Sequence, residues 1–319
     1  YRDNLDMMLA MAKSKNVPVF LSDMVSNIHD LKPFNSKATA EYKPAIDYFN
    51  AAQQFEANGN IQAAKENYIK ARDYDCIRFR ASSDINRIIN DLSKKYNNVH
   101  FVSTLNLFEE NSPNGLVGND LITEHVHPNI KGYFLLAESF YKSILKSNII
   151  NSKQNIYAPQ TSQQFMVDYG FTDLDDLAGK HRIVNLSYHW PFRDESKDYI
   201  DYRQIYKPVS HIDSLAFFVM AKSELILTDA HLQLAKEYEK KHDFENAFKE
   251  YNTLTKISPY WPQYFRKAGD CLLALQDLPG AIHYFTRSLE YGEPSFYAHF
   301  RLGELYLKKN DIAKAIVHF

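Results

Sequence analysis

Residues 262–295 read PQYFRKAGDCLLALQDLPGAIHYFTRSLEYGEPS, and their pattern of small and aromatic residues recurs at a spacing of 34 residues. In this stretch the pattern consists of Gly269, Leu272, Ala281 and Phe285. The preceding stretch has Ala235, Tyr238, Ala247 and Tyr251 at the matching positions, and the following stretch has Gly303, Tyr306, Ala315 and Phe319. Agreement of three stretches at these positions indicates an internal repeat.

A 34-residue period with this alternation of small and large side chains is typical of tetratricopeptide repeats. Small residues allow two antiparallel helices to approach closely, and the aromatic residues fill the space where helix pairs stack. We therefore predict an all-α solenoid with repeats at residues 228–261, 262–295 and 296–319, the last one incomplete. Such a solenoid predicts a protein partner held in its concave groove. Because the third repeat is incomplete, we expect the polypeptide to continue beyond Phe319.

The first 150 residues indicate a different architecture, in which apolar runs of strand length alternate with amphipathic helices. Residues 17–21 (Val-Pro-Val-Phe-Leu) follow a helix and form a strand without polar alternation, and residues 99–102 (Val-His-Phe-Val) form a second strand. Such strands are typical of parallel sheets covered by helices, so we predict an α/β domain over residues 1–150. Ligands bind beyond the carboxyl ends of these strands, which makes Asn27 a candidate binding residue. A polar residue that closes a turn is the alternative.

Two segments depart from the α/β pattern. Residues 45–76 have small and aromatic side chains at the spacing of a helical hairpin, which we predict as an insertion. Residues 151–161 are polar and contain a proline, so we place a domain boundary there and interpret residues 151–227 as a connector. We also expect Ser83 to cap a helix and residues 110–120 to form a loop. A later helix is predicted to bury Tyr133, Leu136, Ala137, Phe140 and Ile144.

The composition is that of an ordinary globular protein. Lys and Arg number 37 against 39 Asp and Glu, which gives a formal charge of -2. Without a basic excess we predict no nucleic-acid binding. The longest apolar run, residues 215–221, is too short to cross a bilayer, so no transmembrane segment is predicted in this chain. The chain opens on Tyr1 rather than on methionine, and we interpret it as a piece of a longer polypeptide.

The candidate for chemistry is the string Glu124-His125-Val126-His127-Pro128-Asn129. A carboxylate three residues before a histidine can hydrogen-bond the imidazole, fix its tautomer and stabilise the imidazolium that forms when it takes a proton. We therefore predict Glu124 as the orienting carboxylate and His127 as a general base. Pro128 is expected to fix the start of the next helix. On spacing alone, the alternative is a surface loop whose histidine caps that helix.

This string, with Gly132-Tyr133 after it, resembles the last conserved block of the SGNH/GDSL hydrolases, which carries the catalytic acid and histidine as acid-x-x-His. The acid of that family is usually Asp, and Glu124 stands in its place. More closely, the chain resembles a bacterial subgroup in which this domain is followed by tetratricopeptide repeats. The resemblance to the subgroup is carried by Val17-Pro18-Val19, residues 26–34 (Ser-Asn-Ile-His-Asp-Leu-Lys-Pro-Phe), Ile77-Arg78-Phe79-Arg80 and Trp190-Pro191-Phe192.

The resemblance implies a flavodoxin-like three-layer sandwich that cleaves or transfers acyl esters without a cofactor, anchored at the membrane of the bacterial cell envelope. The family's nucleophilic serine and most of its oxyanion hole precede the helix with which this chain begins. We therefore expect the chain to hold the C-terminal part of the domain and not to hydrolyse esters by itself. Gly118-Asn119-Asp120 mimics the family's Gly-x-Asn-Asp block, but it lies beside the histidine, and we interpret it as a chance match.

Two further candidates complete the site predictions. His125 and His127 form a His-x-His pair, but no additional ligand is placed by the sequence, so no metal site is predicted. Arg80 is predicted at the edge of a substrate pocket, and pairing of Arg78 or Arg80 with nearby acids is the alternative. The main hypothesis is therefore part of an ester hydrolase or acyltransferase that recruits a protein partner through its repeats. The alternative is a non-catalytic scaffold whose repeats hold a partner in a larger assembly.

Overall fold

The structure is a computed structural model that describes residues 1–150, 168–193, 200–221, 226–291 and 295–319. The chain divides into two compact units, Tyr1–Ala158 and Pro159–Phe319. The boundary predicted at residues 151–161 lies outside the described residues. Within the described ranges, no helix is both long enough and apolar enough to cross a membrane.

The first unit contains the predicted pair of parallel strands. Its elements are, in order, helix α1 (Arg2–Ser14), strand β1 (Val19–Ser22), helices α2 (Ala45–Ala57), α3 (Ile61–Asp73) and α4 (Ser83–Lys95), and strand β2 (Val99–Val102). In the sheet Val19 lies opposite Val99 and Ser22 opposite Val102. Val19, Leu21 and Val99 pack against α1 and α4 on one face of the sheet. Two strands do not make the three-layer sandwich that the resemblance implies, and that part of the fold stays a proposal.

Helices α2 and α3 lie within the segment predicted as a helical hairpin. They pack against each other through alanines, and Ala52 and Ala64 are both 0% exposed. Tyr68 and Phe49 extend this core toward Ile28, which lies in the loop after β1. The hairpin is therefore joined to that loop through a shared apolar core.

The start of helix α4 differs from its prediction. Ser82 occupies the cap position, and its side chain makes no cap hydrogen bond. Ser83 is the first residue of the helix, and its hydroxyl accepts a hydrogen bond from Arg72 (2.8 Å). The prediction that Ser83 caps the helix is wrong because its hydroxyl is used by a neighbouring helix instead.

The remaining described elements of the first unit are helix α5 (Thr104–Glu110), a short 3-10 helix (Pro113–Gly115) and helix α6 (Ile130–Lys146). The predicted buried face of α6 is only partly correct. Tyr133 is 51% exposed and Ala137 is also exposed, whereas Leu136, Phe140 and Ile144 are half-buried. The helix is packed through its smallest residue, since a Cβ on Gly132 would lie 2.3 Å from the carbonyl oxygen of Leu121. This close approach turns Tyr133 outward.

The first described helices of the second unit belong to the predicted connector. These are α7 (Asp173–Ser187), α8 (Tyr202–Ile205) and α9 (His211–Ala221). Thr172 and Asp175 form a capping box at the start of α7, which satisfies two backbone donors of that terminus. Leu174 and Leu215 pack in one core with Leu234 of the following helix. The described part of the connector is thus continuous with the first repeat.

The repeats follow as helix pairs at the predicted period. They are α10 (Leu227–Lys240) with α11 (Phe244–Ile257), α12 (Pro262–Ala274) with α13 (Leu278–Glu290), and α14 (Phe296–Lys308) with α15 (Ile312–His318). Each helix packs against the next one along the chain. The pairing of small and large residues is also present, because a Cβ on Gly269 would lie 3.0 Å from the ring of Phe285. The predicted tetratricopeptide architecture is confirmed for this region.

The turn inside each repeat has one recurring backbone conformation. His242, Gln276 and Asn310 have φ angles of 57°, 62° and 59°, in the left-handed region that few residues with a side chain adopt. The aspartate after each of them accepts a hydrogen bond from a backbone N–H three residues later and so caps the second helix. Such a cap contributes about 1 kcal/mol. The capping aspartates extend the repeat beyond its small and aromatic positions.

Candidate functional site

The loop that carries Glu124 and His127 is closed at its base by backbone pairing. The N–H of Thr123 donates to the carbonyl of His127 (2.8 Å). Ile122 and Pro128 form an antiparallel bridge. Asn129 then caps α6 with its side chain. Pro128 therefore fixes the loop as a bridge partner, two residues before the helix begins, and not as the first residue of the helix.

The carboxylate of Glu124 lies at the centre of this loop, with 2% of its side chain exposed. It contacts the ring Nδ1 atoms of both His125 and His127. It also accepts hydrogen bonds from the N–H groups of Val126 and His127, each at 3.1 Å. Burial raises the pKa of Glu124, but hydrogen bonds from His125 and His127 outweigh burial and lower the pKa to about 2. The carboxylate is therefore ionised at neutral pH and can hold an imidazole in one tautomer.

The side chain of His127 projects from the loop and is 68% exposed. Its Nδ1 contacts Glu124, so the predicted contact between the two residues is present. Among the described residues, its Nε2 has no hydrogen-bond partner, which leaves this nitrogen accessible for proton transfer. The carbonyl of the neighbouring His125 accepts the N–H of Asn27 (3.0 Å).

Asn27 lies behind the loop and is 1% exposed. Its amide nitrogen donates to the side chain of Asn119 (2.8 Å), and its amide oxygen accepts the N–H of Asp30 (2.9 Å). Both ends of the amide therefore hold protein loops in place. A substrate-binding role for Asn27 stays a prediction.

Arg80 was predicted at the edge of a pocket. In the structure it lies in the interior, with only 2% of its side chain exposed. Its Nη1 donates to the carbonyls of Asn27 and Leu31, both at 2.9 Å, and its Nη2 donates to Asp75 (3.2 Å). The pairing with an acid that was the alternative for Arg80 is thus present. The guanidinium joins the loop after β1 to the segment after α3, and a substrate-binding role stays a prediction. Arg78 is exposed.

The string Gly118-Asn119-Asp120, interpreted from sequence as a chance match, has a structural role. The N–H of Asn119 donates to the carboxylate of Asp30 (2.6 Å). A Cβ on Gly118 would lie 2.2 Å from the same carboxylate, so only glycine fits there. Sequence analysis missed this function because Asp30 and Asn119 are 89 residues apart.

The second unit contains a buried acid–histidine cluster that sequence analysis also missed. His231 is 0% exposed and lies between two carboxylates. Its Nδ1 hydrogen-bonds Glu250 (2.6 Å), and its Nε2 hydrogen-bonds Asp175 (3.2 Å). Burial lowers the pKa of His231, but Asp175 and Glu250 outweigh it and raise the pKa to about 9. His231 is therefore a buried cation that joins α7, α10 and α11.

A second buried histidine, His181, connects helix α7 to helices α8 and α9. His181 on α7 hydrogen-bonds Tyr202 through Nδ1 (2.9 Å) and Asp213 on α9 through Nε2 (2.8 Å). Asp213 also accepts the hydroxyl of Tyr206 (2.8 Å). His181, Tyr202 and Asp213 are all buried, so the geometry favours a structural role.

Charged residues on the first helices of the repeats are paired with one another. Lys267 on α12 donates to Glu239 on α10 (3.0 Å). Tyr297 on α14 donates to Asp270 on α12 (2.5 Å). Arg301 donates to the hydroxyl of Tyr297 (3.1 Å). The first two bonds connect each first helix to the next, and the third lies within α14. Lys267 and Arg301 are thus both occupied by partners within the protein.

Comparison with protein-family models finds no match for this sequence, and comparison with curated protein sequences finds none either. Several solved structures do match. One is the TPR2AB-domain:pHSP90-complex of yeast Sti1, with 14% sequence identity over 86% of this chain and 87% of that chain and a TM-score of 0.28. This TM-score is too low to support an interpretation. The tetratricopeptide architecture rests on the helices, turns and packing described above.

Two arrangements in the described residues can support a function. The first is an ionised, buried carboxylate that holds an exposed imidazole, which is the geometry of a general base and its orienting acid. The second is a set of helical repeats with exposed side chains. Within the described ranges, no group of three or more His, Cys, Asp or Glu side chains is arranged to hold a metal ion.

Proposed function

We propose that the repeats bind a partner protein through aromatic side chains at the turns between repeats. Tyr260 is 81% exposed, Trp261 57% and Phe296 85%. Tyr260 also packs against Tyr291, so the turn after α11 meets the end of α13 (ring centroids 6.1 Å apart). We call these four residues the aromatic surface. Exposed Trp and Tyr side chains are enriched among the residues that dominate protein–protein binding energies, and this observation carries the proposal.

The charges of the repeats support an apolar rather than an ionic mode of binding. Lys267 already pairs with Glu239, and Arg301 donates to Tyr297 and Glu304. A partner that used these cations would first have to break the existing pairs. Binding through the aromatic surface should therefore depend weakly on salt, because screening acts on charges.

Photo-cross-linking tests this proposal. A photo-reactive amino acid replaces Trp261 in the full chain, expressed in cells that contain its partners. The expected result is one discrete cross-linked protein that is lost when Tyr260→Ala and Phe296→Ala are added. The control is the same photo-reactive residue in place of Lys240, an exposed residue at the C-terminal end of α10 that is not part of the aromatic surface. Equal cross-linking at both positions, or cross-linking at the control position alone, would reject the aromatic surface.

A second candidate function is part of an ester hydrolase or acyltransferase, as the resemblance implies. The observation that favours it is the contact of Glu124 with the exposed imidazole of His127. In this role Glu124 would orient the ring, and Nε2 of His127 would take a proton from a nucleophile. Among the described residues no hydroxyl is hydrogen-bonded to His127. The nucleophilic serine would thus have to be supplied by another segment.

The esterase hypothesis is tested on the full-length protein with short-chain p-nitrophenyl esters. We expect His127→Ala to lower kcat by about a hundredfold or more, with KM little changed, since a general base acts in the chemical step. His283→Ala, an exposed histidine on α13, is the matched control and should leave the rate unchanged. Hydrolysis that is equally fast in wild type and His127→Ala would rule out this function without affecting the protein-binding proposal.

A further inference from the structure

The inserted hairpin of the first unit has the dimensions of a repeat. Helices α2 and α3 have 13 residues each, and so do α12 and α13. A shift of 183 residues places the hairpin on the first repeat, so that Ala52 corresponds to Ala235 and Ala64 to Ala247. All four alanines are 0% exposed. The two hairpins are therefore closed by the same small residues.

The turn of the hairpin is also the turn of a repeat. Gly59 has a φ of 75° and corresponds to His242, whose φ is 57°. The next residue caps the second helix in both hairpins, because Asn60 and Asp243 each accept an N–H three residues later at 3.2 Å. Their own N–H groups donate to carbonyls five residues earlier, at 2.8 and 3.0 Å. The turn conformation and the helix cap of the hairpin are therefore the same as those of the first repeat.

A tyrosine–glutamate hydrogen bond identifies the face of the hairpin on which the next helix packs. In the first repeat Tyr251 donates to Glu239 (2.5 Å), and Glu239 also accepts Lys267 from the next helix, α12 (3.0 Å). In the hairpin Tyr68 donates to Glu56 (2.8 Å), which also hydrogen-bonds His29 (3.0 Å). The glutamate at this position therefore contacts a repeat helix in the second unit and a loop in the first unit.

The loop does not fill the space that a helix fills in the repeats. An open cleft of about 650 Å³ lies between the loop and α2, lined by His29, Lys32, Phe49, Gln53, Glu56 and Tyr68 among others. In the first repeat the corresponding face, which includes Leu232 and Tyr251, is covered by Tyr264, Ala268 and Cys271 of α12. The cleft is therefore the empty counterpart of a helix-packing face.

We propose that this cleft binds an α-helix of a partner protein, which packs on α2 as α12 packs on the first repeat. The residues of α12 define the chemistry of the partner helix: a large apolar residue followed by a lysine or arginine and a small residue, at the spacing of Tyr264, Lys267 and Ala268. In the cleft His29 contacts the carboxylates of both Asp30 (2.9 Å) and Glu56 (3.0 Å). Glu56 is the counterpart of Glu239, which accepts Lys267 in addition to Tyr251, so a basic residue of the partner helix would take the place of Lys267. The proposal concerns the first unit and does not depend on the aromatic surface of the second.

Fluorescence anisotropy with a defined probe tests the proposal. The probe is a fluorescein-labelled peptide with the sequence of residues 262–274, stapled as a helix on the side opposite Tyr264, Lys267 and Ala268. We expect saturable binding to the full chain, weakened about tenfold or more by Gln53→Trp, which places a large side chain in the cleft. The matched control is Lys236→Trp, an exposed residue at the corresponding position of the first repeat. It should leave the affinity unchanged.

Each other outcome overturns the proposal. Anisotropy that does not change, or that a scrambled peptide changes equally, shows that the cleft does not select a helix. Equal weakening by Gln53→Trp and Lys236→Trp places the probe elsewhere. Light scattering adds a further outcome: a dimer of the chain that Gln53→Trp dissociates would make a second copy the occupant. Both positions are exposed, and circular dichroism verifies that the two variants are folded.

Discussion

Each unit contains a histidine held by buried carboxylates, and the two histidines differ in exposure. His127 contacts Glu124 with its ring 68% exposed, whereas His231 lies between Asp175 and Glu250 with its ring 0% exposed. In the first cluster only the acid is buried, so the imidazole can reach a reactant. In the second cluster the imidazole itself is enclosed, together with the carboxylate of Glu250. Proximity of an acid and a histidine therefore does not identify a site by itself, because only an exposed imidazole can reach a reactant.

The largest effect should come from removing the buried cation with His231→Leu. Asp175 and Glu250 would be left facing each other without a counter-ion, which costs about 3–5 kcal/mol of unfolding free energy. Urea unfolding followed by tryptophan fluorescence measures this loss, because Trp190 and Trp261 both lie in the second unit. His283→Ala, on an exposed face of the same unit, should change little. A loss below about 1 kcal/mol for His231→Leu would mean that its charge is dispensable, and the structural role assigned to the buried cluster would be rejected.

The pH dependence of the second unit should show the same cation. The pKa of His231 is raised from 6.5 to about 9 in the folded state. Its contribution to stability is therefore complete below about pH 6.5 and is lost as the pH rises through about 9. We expect the unfolding free energy from tryptophan fluorescence to fall by roughly 3 kcal/mol across this window. The decline should be absent in His231→Leu, and an equal decline in both proteins would assign it to other groups.

An intermediate effect is expected for Glu124→Gln. The pKa of Glu124 is lowered from 4.5 to about 2, so its stabilising contribution is present above about pH 4.5 and is lost as the pH falls through 2. Loss of the charge removes charge-assisted hydrogen bonds and should cost about 1.5–3 kcal/mol. Hydrogen exchange of the Val126 and His127 amides, which Glu124 binds, should quicken accordingly.

The control for this substitution is Glu138→Gln, which breaks an exposed pair with Lys142 (2.7 Å). That pair should contribute at most about 1 kcal/mol. If exchange in the loop were equally fast in both variants, Glu124 would not be the residue that orders the loop.

The smallest effect on stability is expected for His127→Ala. Because the ring is mostly exposed and touches the protein at Glu124, its removal should change the unfolding free energy by no more than about 0.5 kcal/mol. Thermal unfolding followed by circular dichroism measures this change. A loss comparable to that of His231→Leu would show that both clusters are structural, and the distinction by exposure would fail.

The repeats could be predicted from the sequence because their defining contacts are local. Gly269 faces Phe285 and Asp277 caps its helix within one hairpin, so the 34-residue period contains the necessary information. The apolar runs of β1 and β2 also predicted two strands, but all of β1 is half-buried and its pairing with β2 joins residues 80 positions apart. The exposure of Tyr133 could not be predicted, because helical spacing shows which residues share a face but not how closely a loop approaches Gly132.

The residues of the candidate site differ in the same way: local contacts could be predicted from the sequence, and long-range contacts could not. The contact between Glu124 and His127 spans three residues, and spacing alone predicts it. The burial of Arg80 depends on carbonyls 53 and 49 residues away, so its place in the interior could not be read from the sequence. The His231 cluster joins residues 56 and 19 positions apart, and it forms only when α7 packs against the repeats. Residues that depend on tertiary packing were those that the sequence misplaced or missed.

The bonds between first helices have a mechanical consequence. Neighbouring first helices are connected by the contacts Glu239–Lys267 and Asp270–Tyr297. A stretching force on the repeats is therefore transmitted by side chains as well as by the backbone turns. The first contact is the ion pair of Lys267 and Glu239 (3.0 Å), and the second combines the Tyr297–Asp270 hydrogen bond with a longer ion pair between Arg301 and Asp270 (3.9 Å). The strength of an ion pair falls with dissolved salt. The stretching stiffness of the array should thus vary along its length, and the junction of the first two repeats, which has the shorter ion pair, should be the more sensitive to ionic strength.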